Sequence, residues 1–383
     1  MAGDTLDFLD RLVGFDTVSS KSNLDLIDWV GDLVAAKGAR LRRTYNDERT
    51  KANLLVSIGP VDVPGLLLSG HSDVVLVDDQ QWSTDPFRLT EKHGSVFGRG
   101  TADMKGFVAC CLSMLTRLDP ATLRRPVHLA LSYDEELGCR GVPRLVDDLV
   151  ASTALPAVAV VGEPTLMQVA TCHKGARVYE TVFTGLEAHS SQSQIGVSAN
   201  VHAARFILHL ERIFGELATR RSGARGLVPD TCTFNAGVMS GGTAVNMIPR
   251  SSRLLWEFRD IPEVDGDLLE ETLLAHLFGP ATDAMRMGCA GARIDTERLA
   301  CVLPLDPAGT GPAVELVRRL TGISGDGAVA FGTEAGNFQN AGIPAVVCGP
   351  GTIAVAHKPD EHVALSQLAA ADRFLDDLAA WIT

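Results

Sequence analysis

Apolar residues fall in two rhythms along the chain. Near its start, Leu6, Leu9, Leu12 and Val13, then Leu26, Ile27, Val30, Leu33 and Val34, recur at helical spacing and predict two helices between residues 5 and 37. Asp4 or Thr5 is placed to cap the first and Gly38 to stop the second. Beyond these the pattern changes to short unbroken aliphatic runs bounded by Gly and Pro, at residues 53–58, 65–69, 127–132, 157–161 and 344–348. Such runs read as buried strands. Residues 94–100 read as a short extended piece with turn residues, and 107–115 as a buried helix. Strands alternating with helical segments predict an α/β fold, a mixed sheet flanked by helices.

The middle of the chain has another character. Strand-like runs at 178–184, 231–238 and 254–259 surround one long amphipathic helix at about 198–218, with Val201, Ala204, Ile207, Leu208, Phe214 and Leu217 as its expected core stripe. This predicts an inserted α+β domain over 178–292, dividing a larger domain into residues 1–177 and 293–383.

Four of the aliphatic runs end in the same way. The strand at 65–69 is followed by His71 and Asp73, the next by Asp134, Glu135 and Glu136, the third by Glu163, and the last, after Gly349-Pro350-Gly351, by His357. Taken alone, the His71/Asp73 pair is equally compatible with a catalytic dyad, a metal site or an uninvolved histidine. If the strands are parallel, all four ends share one edge of the sheet. That is where open α/β sheets collect ligands.

Composition narrows the partners. The 383 residues fit two domains better than one. With 34 Lys and Arg against 47 Asp and Glu and no basic block, neither nucleic acid nor an anionic membrane is expected as a partner. Met1-Ala2-Gly3-Asp4-Thr5-Leu6 has no basic segment followed by an apolar core, and no run of about 18 apolar residues occurs, so neither a signal peptide nor a transmembrane helix is expected. Eight scattered cysteines without a CxxC pair read as reduced thiols of a cytoplasmic protein.

Carboxylates cannot crowd a partly buried crevice unless protons or cations offset their repulsion, and mixed His and Asp/Glu donors suit zinc or a similar divalent ion. Glu135 and Glu136, being adjacent, point in different directions, so that one can hold a metal while the other acts on water. The motifs Gly70-His71-Ser72-Asp73, Gly98-Arg99-Gly100-Thr101-Ala102-Asp103-Met104-Lys105-Gly106, Asp134-Glu135-Glu136 and Gly162-Glu163-Pro164, in this order, resemble the co-catalytic metallopeptidases of the M20 family. Gly332-Thr333-Glu334-Ala335, Gly342-Ile343-Pro344, Cys348-Gly349-Pro350-Gly351 and Ala356-His357-Lys358-Pro359-Asp360-Glu361 look most like the family's acetylornithine deacetylases.

The resemblance implies a zinc-exopeptidase-like catalytic domain with an inserted dimerisation and lid domain, a homodimer, and hydrolysis of a small N-acyl amino acid. It implies two divalent ions, zinc with cobalt or manganese as substitutes. His71 and Glu163 would hold one ion, Glu136 and His357 the other, and Asp103 would bridge them, next to a cis peptide to Met104. Asp73 would orient His71 through its other ring nitrogen, and Glu135 would be the general base and acid. His189, Asn246, Arg259, Gly332 and Thr333 would bind substrate, His189 from across the dimer. Glu334 is expected to have a capping or loop role. The motifs depart from the family's commonest wording at Ser72 and at Ser198-Ala199-Asn200.

His93, His128, His173, His202, His209, His276 and His362 are assigned no ligand role. The rival readings are another acyl-amino acid or dipeptide hydrolase of the same family, a non-catalytic metal-binding homologue, and a serine hydrolase using Ser69 or Ser132. The last lacks a G-x-S-x-G elbow.

Overall fold

The computed structural model describes residues 3–383 and divides them into two compact units, one formed by the chain up to Cys172 and from Leu305 onward, the other by His173–Pro304. Met1 and Ala2, on which part of the leader expectation rests, lie outside the described residues. Among those described, no helix is long and apolar enough to cross a membrane, and no two of the eight cysteines are bridged.

The first unit is built on an eight-stranded sheet. In chain order its strands are β1 (Arg40–Tyr45), β2 (Ala52–Ile58), β3 (Leu66–His71), β4 (Val127–Ser132), β5 (Val158–Pro164), β6 (Ala170–Cys172), β7 (Gly327–Ala328) and β8 (Ala345–Gly349). They lie side by side as β1-β2-β4-β3-β5-β8-β6-β7. The central four, β4, β3, β5 and β8, run parallel, whereas β1, β2 and β4 pair antiparallel. The sheet is therefore mixed, and the four strand ends carrying candidate ligands do share one edge.

The unbroken aliphatic runs have a simple cause. Side chains alternate between faces, and here both faces are covered. Leu66 and Leu68 of β3, Val158 and Val160 of β5, and Val346 and Cys348 of β8 enter one core with the helices Lys105–Arg117 and Leu365–Ile382. Leu67, Ala159, Val161, Ala345 and Val347 enter the other, against the helices Val142–Ser152 and Ala335–Asn340. Near the N-terminus the first helix begins at Gly3, so Asp4 and Thr5 lie within its first turn and do not cap it; the Thr5 hydroxyl instead donates to Asp372 at 2.9 Å.

The second unit holds a four-stranded antiparallel sheet in the order Thr233–Gly241, Ser251–Arg259, Ala176–Thr184, Arg293–Val302. The last of these strands belongs here, so the unit ends at Pro304 and not before residue 293. Its run of charged residues had hidden it. The helix Ala199–Leu217 is capped by Ser198 but buries Ala199, Ala203, Phe206, Leu210 and Phe214. Val201 and Leu208, expected in the core stripe, are 47% and 61% exposed. The helix is apolar on two sides, and the aromatic side won the core.

Candidate metal centre

Each end of a central strand delivers a donor to one edge of the first unit. His71 closes β3, Glu163 is the penultimate residue of β5, and Glu135 and Glu136 follow β4 after a tight turn in which Asp134 has φ +54°. His357 follows β8 in a loop and itself has φ +62°. Asp103 comes from the loop before the helix Lys105–Arg117, and its peptide bond to Met104 is cis.

Asp103 sits between the two histidines. Its Oδ1 lies 3.1 Å from His71 Nε2 and its Oδ2 lies 3.1 Å from His357 Nε2. His71 Nε2 is also 3.8 Å from Glu163, and His357 Nε2 is 3.1 Å from Glu136. His71 Nδ1–H donates to the backbone carbonyl of Asp73 at 2.9 Å. The orienting contact thus comes from the main chain, while the Asp73 carboxylate stands 3.7 Å from that nitrogen. The carboxylate accepts instead from the backbone N–H groups of Glu135 and Glu136, at 3.1 and 3.3 Å, and from the Ser19 hydroxyl at 2.7 Å. It therefore holds the turn that presents both glutamates, a role the sequence had assigned to no residue.

With Nδ1–H committed, His71 meets the carboxylate oxygens through Nε2 alone, and at this distance a proton or a cation must lie between them. Among the described residues no Lys or Arg forms an ion pair with Asp103, Glu135, Glu136 or Glu163. The side-chain donors of His71, Glu135 and Glu163, and those of His71, Asp103 and Glu136, each gather within 4.8 Å. This nitrogen and oxygen donor set fits zinc, and equally cobalt or manganese.

Proton affinities report the same imbalance. Burial pushes Glu135 and Glu163 well above the usual carboxylate range, with neighbouring carboxylates adding to it. Burial and then Asp103 push Glu136 up to about 7. Burial would raise Asp103 as well, but hydrogen bonds from His357 and His71 hold it below its ordinary value. His357 rises to about 10 through its bonds to Asp103 and Glu136. Burial opposes charge on His71, yet Asp103 and the nearby glutamates keep it well above its ordinary value.

Glu334 departs from expectation. It occupies the N-cap position of the helix Ala335–Asn340, but its side chain makes no capping bond. Fully buried, it accepts from the hydroxyls of Ser69 at 2.6 Å and of Ser132, tying β3 to β4 just below His71 and Glu135. The same bonds commit both serines proposed as rival nucleophiles. Gly332 and the buried Thr333 precede it. The remaining substrate-binding candidates belong to the second unit. His189 accepts from Ser191 N–H, and the Asn246 carbonyl accepts from Ser190 N–H at 2.9 Å. Arg259 reaches Glu257 at 3.2 Å. His128 and His173 are buried, and burial lowers both to about 4.

Residues 67–380 match the family described as Peptidase family M20/M25/M40. The acetylornithine deacetylase of Myxococcus xanthus is 34% identical over 368 residues, covering 94% of this chain and 92% of that one. The M20 family metallo-carboxypeptidase Sso-CP2 of Sulfolobus solfataricus shares the fold with a TM-score of 0.70 at 17% identity, over 98% of each chain. YXEP of Bacillus subtilis, a dinuclear metal-binding M20 peptidase, shares it at 0.66 and 15% identity, over 99% of this chain and 97% of that one. The chain belongs to peptidase family M20/M25/M40, and with that family it is a metal-dependent hydrolase.

Proposed function

We propose that the protein removes the acetyl group from N2-acetyl-L-ornithine, giving acetate and L-ornithine in arginine biosynthesis. The observation that carries the chemistry is the convergence of four carboxylates, Asp103 and Glu163 buried and Glu135 and Glu136 partly so, on His71 and His357, with no Lys or Arg ion pair to neutralise them among the described residues. The choice of substrate is supported by the likeness to acetylornithine deacetylases from Myxococcus xanthus and Proteus mirabilis, each at 34% identity.

His71 and Glu163 would hold one divalent ion and Glu136 and His357 a second, with Asp103 shared between them. Such ions supply Lewis acidity toward the amide carbonyl and lower the pKa of water. Glu135 takes the proton of the attacking water and returns it to the leaving amine. His189, contributed by the second copy of a homodimer, stabilises the developing oxyanion. Asn246, Gly332 and Thr333 position the substrate, and Arg259 pairs with its α-carboxylate in the forked geometry it now offers Glu257. The second unit serves as the dimerisation and lid domain, and the enzyme works in the cytoplasm.

One observation favours a second reading. Beside Glu136 and His357 lies a hollow of about 420 Å³ lined by Val18, Val75, Leu76 and Leu137. It is larger than an acetyl group needs and would suit a bulkier or more apolar N-acyl amino acid. Steady-state hydrolysis of a panel of N-acyl amino acids separates the two. The proposal expects the highest kcat/KM for N2-acetylornithine; a tenfold preference for another member sinks it in favour of an aminoacylase or desuccinylase.

A further inference from the structure

His71 and Glu163 are fixed by the ladder of the sheet, but Asp103 and His357 stand on irregular loops. What holds those loops together is a buried polar chain that none of the catalytic roles uses. Arg99, only 1% exposed, donates from Nη1 to Glu361 at 2.7 Å and to the Lys358 carbonyl at 3.3 Å. Its Nη2 donates to Gln80 Oε1 at 2.7 Å and to the Leu76 carbonyl at 3.3 Å. Glu361, equally buried, uses its other oxygen to accept from the backbone N–H groups of Ala102 and Asp103, at 2.9 and 3.0 Å. Gln80 completes the circuit by donating to the His357 carbonyl at 3.0 Å. The main chain of Asp103 is thereby connected to that of His357 through Glu361, Arg99 and Gln80.

We propose that Arg99, Glu361 and Gln80 are positioning residues that set the spacing of Asp103 and His357, and so the affinity for the ion held on the Glu136 side. This rests on the two-ion reading of the site. Stability alone does not account for the arrangement, because a buried ion pair returns little once both charges are desolvated. The bonds of this circuit end instead on the three loops 76–82, 98–103 and 357–361, of which the last carries His357, a ligand of the ion on the Glu136 side, and the second Asp103, the ligand that ion shares with the other. The ligands His71 and Glu163 on β3 and β5 receive none of them. Groups that orient metal ligands in this way typically change metal affinity 10–100-fold when removed.

Titration of metal-free protein with Co²⁺, followed by calorimetry and by the visible absorption of the ion, tests this in wild type, Glu361→Gln and Gln80→Ala. Wild type should show two binding steps. In both variants the step of the ion on the Glu136 side should weaken about 10–100-fold and the other, which shares only Asp103 with the circuit, by clearly less, and excess Co²⁺ should restore most of kcat without moving KM. Gln80 is only partly buried, so its variant supplies the same readout if loss of Glu361 prevents folding. Folded variants that bind both ions as wild type does overturn the positioning role and leave the two-ion reading intact. Wild type that takes up a single ion overturns the two-ion reading, and the positioning role with it.

Discussion

Each unit gathers a partly buried cluster of charge, and the two neutralise it differently. In the second unit Arg177 pairs with Asp267 at 2.8 Å and with Glu270 at 2.7 Å, while Arg298 reaches Glu270 at 2.9 Å. There the chain supplies its own cations. In the first unit no Lys or Arg among the described residues pairs with Asp103, Glu135, Glu136 or Glu163, which face His71 and His357, and burial drives three of the four carboxyls toward protonation. One cluster is closed by the chain itself; the other is left for ions from solution. The contrast teaches that a buried carboxylate marks a functional site less by its burial than by the absence of a protein cation beside it. Damage to the first cluster should therefore appear in metal content and rate, and damage to the second in stability.

The largest effect expected is on the rate. Glu135→Gln keeps the size of the side chain but removes the base, so hydrolysis should fall about 10²–10⁴-fold. Metal content and melting temperature should stay near wild type, and the ratio of kcat to bound metal checks this. A variant that keeps more than a tenth of the activity would blur the distinction between the clusters.

In the second unit, Arg177→Met leaves Glu270 to Arg298 alone and strands the buried Asp260, whose carboxyl burial already pushes up to about 6. Breaking such a pair costs about 3–5 kcal/mol. Urea unfolding should register that loss, with metal binding unchanged in the protein that remains folded.

A smaller effect comes from outside both clusters. His128 is buried in β4, accepts or donates one bond to Ser57 at 2.8 Å, and is lowered by burial to about 4. Between the ordinary histidine pKa of about 6.5 and pH 4 the unfolded chain takes up a proton that the folded one refuses. Stability should therefore fall by about 3 kcal/mol as pH drops through that window, and this contribution levels off below it. His128→Asn should flatten that part of the pH–stability curve without altering metal affinity. An unchanged slope would show that the histidine is not held neutral.

The smallest expected change is at Asp73. Asp73→Asn retains an acceptor for the Glu135–Glu136 turn and leaves the His71 contact to the main chain, so the rate should drop only about 10-fold, near the low end for groups that orient ligands.

Much of this was legible in the sequence because the central strands are buried on both faces. Continuous aliphatic runs such as residues 66–68 and 158–161 have no other stable use, and the polar residue that ends each run stands out against them. The α/β architecture followed from that pattern, and the shared edge followed once the strands were taken as parallel, which the structure bears out for the central four. Less legible was anything decided by contacts distant in sequence. Glu334 meets Ser69 265 positions away, and no local signal distinguishes it from a helix cap. The Asp73 carboxylate was given to His71, its neighbour, because the turn it serves lies 62 residues further on. The helix Ala199–Leu217 carries apolar residues on two sides, so periodicity alone left its buried face undecided. The strand Arg293–Val302 lies at the edge of its sheet and carries four charged residues in ten, and that composition concealed it.

The central claim is that divalent ions neutralise the first cluster. Elemental analysis of the purified protein before and after dialysis against a chelator, with hydrolysis of N2-acetylornithine followed on the same samples, tests it most directly. The account predicts two divalent ions per chain, loss of activity with their removal, and its return on adding back zinc, cobalt or manganese. Full activity in protein shown to be free of metal would contradict it.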